Sequence, residues 1–151
     1  MKKVSYKLKI IITIMIAFSL MVSYVNVTSA DKKIETVAYK KTPVGAHGRL
    51  NVKGTKLVDQ YGKEIQIQGV STHGINWDVG KPYVNYQSFQ NLRDEWGVNC
   101  IRVAMYTEDY NGYCVTDERE KKDLLETIDS AVKYTKKLGM YIIIDWHVLS
   151  D

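Results

Sequence analysis

The sequence lacks an apolar segment long enough to cross a membrane, and it shows neither an internal repeat nor a cofactor-binding motif. The main apolar run, residues 10–22, is shorter than the roughly 20 residues that span a bilayer. We therefore expect no stable membrane insertion of the mature chain and no bound cofactor.

Cysteine is also scarce, since Cys100 and Cys114 are the only two. If Cys100 begins a strand that ends near Tyr106, Cys114 lies beyond the other end of that strand. The two would then be roughly 20 Å apart, whereas a disulfide needs Cα atoms within about 7 Å. The sequence predicts two free thiols.

The apolar run belongs to a predicted secretory signal over residues 1–30. Lysines precede the run, and small residues follow it at positions 28 and 30, the spacing that signal peptidase recognises. The sequence therefore predicts a protein that is secreted and extracellular. The alternative is that the segment stays uncleaved as a membrane anchor.

The net charge does not indicate a nucleic-acid partner. The formal charge of +4 comes from 21 basic and 17 acidic residues. The lysines of the predicted signal account for the whole excess, because residues 1–30 contain no acidic side chain. The rest of the chain is balanced, and a neutral surface with many tyrosines favours a neutral ligand.

The remaining chain divides into a linker and a folded part. Residues 31–47 are polar, lysine-rich and without periodicity, which predicts a linker. Residues 48–151 begin with short alternating segments separated by turns, which predict a hairpin. Strands and helices then alternate. The predicted elements are a strand over 65–70, a helix over Tyr86–Trp96, a strand over Cys100–Tyr106, a helix from about Asp117 and a strand over 141–146.

This alternation of strands and helices predicts an α/β fold with a parallel sheet. Such a sheet must be covered on both faces, and three strands with two helices cover them poorly. We therefore interpret the sequence as the front part of a larger protein. Trp96 and Trp146 are predicted to lie in the core, whereas Trp77 is either a stacking surface or loop packing.

Polar side chains stand near the carboxyl end of each predicted strand. His73, Tyr106 and His147 lie at these ends, and Arg102 and Asp145 lie below them on the same faces. Ligands of parallel α/β folds bind at the carboxyl ends of strands, so a site is predicted there. An arginine inside a strand needs carboxylates or water around it.

A metal site is an alternative for these side chains. Asp145, His147 and His73 could ligate a divalent ion. Arg102 and Tyr106 on the neighbouring strand disfavour a bound cation, so the sequence favours a site without metal.

Three segments carry a resemblance to a known family. They are STHGINW (71–77), WGVNCIRVAMYTEDYNGYCV (96–115) and GMYIIIDWHVLSD (139–151). In this order they resemble the front third of bacterial endoglucanases (cellulases) of glycoside hydrolase family 5. The resemblance implies a (β/α)8 TIM barrel, of which the N-terminal hairpin and about the first three β/α units are present.

The resemblance further implies an endo-β-1,4-glucanase that hydrolyses internal bonds of cellulose with retention of configuration. That chemistry uses two glutamates about 5 Å apart. In the family, one lies in an N-E-P motif after the fourth strand and the other follows the seventh. Neither motif occurs here, so no residue of this chain is assigned as a catalytic carboxylate, and this stretch alone is expected to be inactive.

The surrounding site residues match the family pattern one by one. Arg102 corresponds to the arginine that supports the nucleophile. The other four, implied to bind β-1,4-glucan or cello-oligosaccharides, are His73, Trp77, Tyr106 and His147.

One departure leaves the substrate open. Asp78 stands where the family usually has an aromatic residue, whereas Asn76 in place of a usual glutamine is a tolerable change. The same fold could act on mannan, xylan or mixed-linkage glucan, or the chain could be a truncated remnant that only binds glucan.

Overall fold

The computed structural model describes residues 15–17, 21, 32, 38–108 and 111–149. The chain forms two units, Met1–Ala38 and Tyr39–Asp151. In the first unit the described residues are helical. None of the helices within the described ranges combines the length and apolarity needed to cross a membrane. Most of the predicted signal lies outside the described residues.

The second unit begins earlier than the predicted linker boundary at residue 47. Helix α1, Pro43–His47, starts at the N-cap Thr42, whose hydroxyl accepts a hydrogen bond from Gly45 N at 3.1 Å. Val44 N also donates to Gly139 O at 2.8 Å. The end of the predicted linker is therefore a capped helix joined to the rest of the unit, a signal carried by the Thr-Pro pair.

A small hairpin follows, made of β1 (Asn51–Lys53) and β2 (Lys56–Val58) in antiparallel pairing. The carboxylate of Asp59 accepts hydrogen bonds from Tyr61 N and Lys63 N, both at 2.9 Å, and contacts His47 Nδ1 at 3.1 Å. Burial by itself raises the pKa of Asp59, but these hydrogen bonds outweigh burial and hold that pKa below its ordinary value. Asp59 thereby ties the turn after β2 to α1.

The main sheet has three parallel strands in the order β3-β4-β5. Their bounds are Gly69–Ser71, Cys100–Tyr106 and Tyr141–His147. This confirms the predicted α/β class. The first strand is shorter than the predicted 65–70, because the side chain of Asn99 bonds Gln66 O and Gln68 N, both at 2.9 Å, in place of a strand neighbour.

Two helices cover one face of this sheet, as predicted. Helix α2 (Tyr86–Trp96) begins at Asn85 and helix α3 (Glu118–Leu138) begins at Asp117, and each cap accepts a backbone hydrogen bond. A single 3₁₀ turn, Lys81–Tyr83, precedes α2. The helices and strands enclose one core, made of Ile75, Phe89, Val98, Ile101, Val103, Met105, Leu124, Ile128, Ala131, Leu138 and Met140.

Two tryptophans predicted to lie in the core do not. Trp96 is 77% exposed, because at the last position of α2 the described residues leave most of its ring uncovered. Trp146 is 52% exposed and touches Tyr113 with its ring. Its neighbour Ile144 is 51% exposed as well. The helix-facing side of β5 is therefore apolar but left uncovered near its carboxyl end within the described residues.

Both cysteines are free thiols, as predicted. Cys100 is buried at the start of β4, and this burial raises the pKa of its thiol. Cys114 is exposed in the segment after the strand.

Two glycines that end the helices offer a matched test of packing at the base of this unit. Gly97 and Gly139 both have left-handed φ, at 68° and 64°. A Cβ at Gly97 would meet nothing within 4 Å, whereas one at Gly139 would lie 2.1 Å from the Thr42 hydroxyl. We expect Gly97→Ala to lower the free energy of unfolding of the complete protein by about 1 kcal/mol, and Gly139→Ala by about 2–3 kcal/mol. Urea unfolding measures both, and equal losses would contradict the Thr42 contact.

Candidate active site

The parallel register of β4 and β5 places the predicted site residues side by side. Tyr106 stands opposite His147, and Ala104 stands opposite Asp145. Because side chains alternate along a strand, Arg102, Tyr106, Asp145 and His147 share one face. This is the face opposite the helices.

Arg102 and Asp145 form an ion pair at the centre of this face. Arg102 Nη2 donates to Asp145 Oδ2, and Arg102 Nη1 donates to the hydroxyl of Ser71 at 2.6 Å. Both charged side chains are about a quarter to a third exposed. The guanidinium therefore links all three strands of the sheet.

From the sequence, Asp145 is placed on the polar face of its strand and considered as a metal ligand, but neither Asp145 nor Ser71 is identified as a partner of Arg102. The structure joins both residues to Arg102. The signal was present in the alternation of side chains. Asp145 shares a face with His147, and in a parallel sheet the same face of the neighbouring strand carries Arg102.

His147 is oriented by the same carboxylate. Its Nδ1 lies 2.8 Å from Asp145 Oδ2 and 3.2 Å from Arg102 Nη2. A carboxylate can only accept and a guanidinium can only donate, so the two neighbours require opposite roles of Nδ1. The shorter distance favours Nδ1–H donating to Asp145, which leaves Nε2 of the neutral ring as an acceptor.

A chain of aromatic rings continues from His147 along the strand ends. The ring of Tyr106 lies 4.4 Å from His147 and 4.6 Å from Trp77, between centroids, and Trp77 lies 5.3 Å from His73. We call Trp77 and Tyr106 the aromatic platform. Such rings offer flat apolar faces with polar groups at their rims, which suits a sugar.

Gly74 makes room for the aromatic platform. A Cβ at this position would lie 2.6 Å from the Trp77 ring and 2.7 Å from the Tyr106 ring. Any larger residue would therefore push the two rings apart. Trp77, for which stacking and loop packing were both open, is packed against Tyr106 and half-buried.

The geometry gives no support to a metal site. Within the described ranges, no three His, Cys, Asp or Glu side chains are grouped so that they could hold a metal ion. Asp145 and His147 do stand together, but the guanidinium of Arg102 contacts both. The guanidinium, which is itself positively charged, therefore takes the position beside Asp145 and His147 that a metal ion would need.

Known proteins place this arrangement in a family. The family profile described as Cellulase (glycosyl hydrolase family 5) matches residues 58–151. The chain belongs to this family.

Individual relatives agree with this placement. Endoglucanase A of Butyrivibrio fibrisolvens is 50% identical over 105 residues, which are 70% of this chain and 24% of the relative. Endoglucanase N of Pectobacterium atrosepticum is 46% identical over 114 residues, which are 76% of this chain and 24% of the relative. The chain thus spans about a quarter of the length of these curated relatives.

Solved structures show the fold. Cellulase Cel5C_n superposes with a TM-score of 0.68 at 38% identity, over 74% of this chain and 34% of that structure. The catalytic domain of Thermobifida fusca endoglucanase Cel5A gives a TM-score of 0.62 at 32% identity, over 72% and 33%. The predicted (β/α)8 class is confirmed, and the chain covers about a third of these structures. The sugar contacts assigned to His73, Trp77, Tyr106 and His147, and the role of Arg102, stay predictions.

The orientation of His147 can be tested directly. In the Asp145→Ala variant, Nδ1 loses its carboxylate acceptor, and its remaining neighbour is the donor Arg102 Nη2. We expect neutral His147 to change from the Nδ1–H to the Nε2–H tautomer, read from the nitrogen-15 shifts of the ring in the complete protein.

Asp145→Asn is the matched control, because its amide oxygen still accepts from Nδ1. This variant should keep the Nδ1–H tautomer. An unchanged tautomer in Asp145→Ala would show that Asp145 does not orient the ring.

Proposed function

We propose that the complete protein is an endo-β-1,4-glucanase that hydrolyses internal glucosidic bonds of cellulose with retention of configuration. The observation that carries this proposal is that Arg102 contacts His147, whose ring packs against the aromatic platform at the carboxyl ends of parallel strands. The family membership supports it, as does a variant of the Thermobifida fusca domain that was solved in complex with cellotetraose.

In this proposal the two catalytic glutamates come from strands outside residues 1–151. One donates a proton to the leaving oxygen, and the other attacks the anomeric carbon to form a covalent glycosyl-enzyme that water then hydrolyses. The described residues supply the surroundings: Trp77 and Tyr106 stack on sugar rings, and His73 and His147 hydrogen-bond hydroxyl groups.

Arg102 would hold the nucleophile ionised. Its Nη atoms are engaged with Ser71 and Asp145, while its Nε donates to no acceptor within the described part of the chain. A guanidinium has five donors in a fixed plane, so it can bind a second carboxylate while Asp145 holds it in place. A positive charge beside a carboxylate favours its ionised form.

The Arg102→Ala variant tests this role. We expect kcat on carboxymethylcellulose to fall by at least about 100-fold while KM changes little, because the charge acts in the transition state rather than in binding. Arg119→Ala, at an exposed position of α3, is the control and should leave both constants unchanged. Unchanged turnover in Arg102→Ala would refute the assignment.

The glucanase activity itself is tested by viscosity. The complete protein should lower the viscosity of carboxymethylcellulose quickly, because internal cleavage shortens chains with few cuts. If viscosity stays constant while mannan, xylan or mixed-linkage glucan is cleaved, the fold acts on another β-glycan. Exposed Asp78, beside the aromatic platform, is the feature that favours this second candidate.

The position of the glutamates is tested in the coding DNA. A reading frame that continues past the codon for Asp151 into an N-E-P motif, after one more helix and strand, supports the proposal. A stop codon there would instead favour a glucan-binding remnant without catalysis.

We also propose that the protein is secreted to the extracellular space. The lysine-rich start, the apolar run and the small residues at positions 28 and 30 support export with cleavage after Ala30. N-terminal sequencing of the protein from the culture medium should begin at Asp31. Intact residues 1–30 on a membrane-bound product would contradict it.

A further inference from the structure

The side chain of Asn76 joins the loop after β3 to the end of β4. Its Oδ1 accepts a hydrogen bond from Tyr106 N at 2.9 Å. Its Nδ2 donates to Asn111 O at 3.0 Å and to Tyr106 O at 3.3 Å. Only this orientation of the amide satisfies all three contacts, because Tyr106 N–H must meet an oxygen.

These contacts fix the backbone of the tyrosine rather than its ring. Tyr106 is the last residue of β4, and its carbonyl also accepts a hydrogen bond from Tyr113 N at 2.9 Å. Asn111 has a left-handed φ of 67°. Asn76 therefore holds the end of the strand and the turn beyond it in one arrangement.

The neighbour of Asn76 in the sequence carries the other ring of the aromatic platform. Trp77 packs on Tyr106, and Gly74 leaves the space that both rings need. The amide of Asn76, next to Trp77 in the chain, thus bonds the backbone of Tyr106, which lies 30 residues beyond Asn76. If the amide is removed, Ile75 N still donates to Ala104 O at 2.9 Å, but the loop loses the three contacts that Asn76 makes with residues 106 and 111 while both ring side chains remain.

We propose that Asn76 is a positioning residue that sets the spacing of the aromatic platform and thereby the affinity of the site for a glucan chain. The inference rests on the proposed glucanase function. Asn76 is expected to affect binding rather than rate, because the aromatic platform is proposed to hold sugars. Arg102 and the two proposed catalytic glutamates act instead on the bond that breaks. Asn76 itself touches no substrate.

The first test compares Asn76→Ala with the wild type in the complete protein. We expect KM for a soluble cello-oligosaccharide to rise about tenfold and kcat to change less than about twofold. Calorimetric titration with cellotetraose should show the same loss of affinity. Asn91→Ala is the control, since Asn91 is an exposed residue of α2 whose side-chain oxygen accepts a hydrogen bond from Gln87.

The second test separates positioning from a general structural effect. If Asn76 acts through the platform, Asn76→Ala should raise KM in the wild type but change it little in a Trp77→Ala background. An equal effect in both backgrounds would overturn the proposal. So would an unchanged KM in Asn76→Ala when the variant is folded.

Asn76→Gln keeps the test decisive if Asn76→Ala does not fold. It retains the amide but displaces it by one methylene, so a smaller rise in KM is expected, again lost in the Trp77→Ala background.

The two proposals fail differently. A wild type that neither binds nor cleaves glucan refutes the glucanase function and this inference with it. A wild type that does both, beside variants that bind equally well, refutes only the role of Asn76.

Discussion

A charged guanidinium inside a sheet has to be paired, and the arrangement of the site depends on how Arg102 meets this constraint. Its side chain is only about a third exposed, so water covers part of the guanidinium and a neighbouring carboxylate has to balance the rest of its charge. Asp145 meets that need from the neighbouring strand. The same Asp145 oxygen also accepts a hydrogen bond from His147 Nδ1, and Arg102 Nη1 donates to the hydroxyl of Ser71. One ion pair thus orients side chains on three strands.

A second set of constraints acts on the rings rather than on the charges. Trp77 and Tyr106 come from different segments, and their contact needs an absent side chain at Gly74. Arg102 and Asp145 form the part of the site that lies on the sheet face. Trp77 and Tyr106 extend the site across the ends of the strands. A polymer lying across the sheet would contact both the charged group and the rings.

The local structure was predictable where it depends on neighbouring residues. The helix ends followed from Asp117, Gly97 and Gly139, because caps and left-handed glycines act over one turn. The Thr-Pro start of α1 carries a similar signal, but it lay in a lysine-rich stretch without periodicity. The length of β3 was not predictable, because its limit is set by Asn99, about 30 residues away.

The site shows the same division. Alternation alone places Arg102 with Tyr106 on one face of β4, Asp145 with His147 on one face of β5, and His73 at the end of the first strand. The family motifs added a role for Trp77. The partner of Arg102 required the register between β4 and β5, which periodicity does not give. The exposure of Trp96 and Trp146 was missed because a helical or strand pattern marks a face, while burial depends on what lies against that face.

The uncovered apolar face of β5 bears on how such a protein is made. Ile144 and Trp146 present an apolar surface on a strand that is paired along one edge within the described residues. On the ribosome, strands at the start of a chain emerge before the later units that could cover them. The nascent sheet would remain open for as long as synthesis of those units takes, an interval in which chaperones, or pairing with a second nascent chain, can compete with folding.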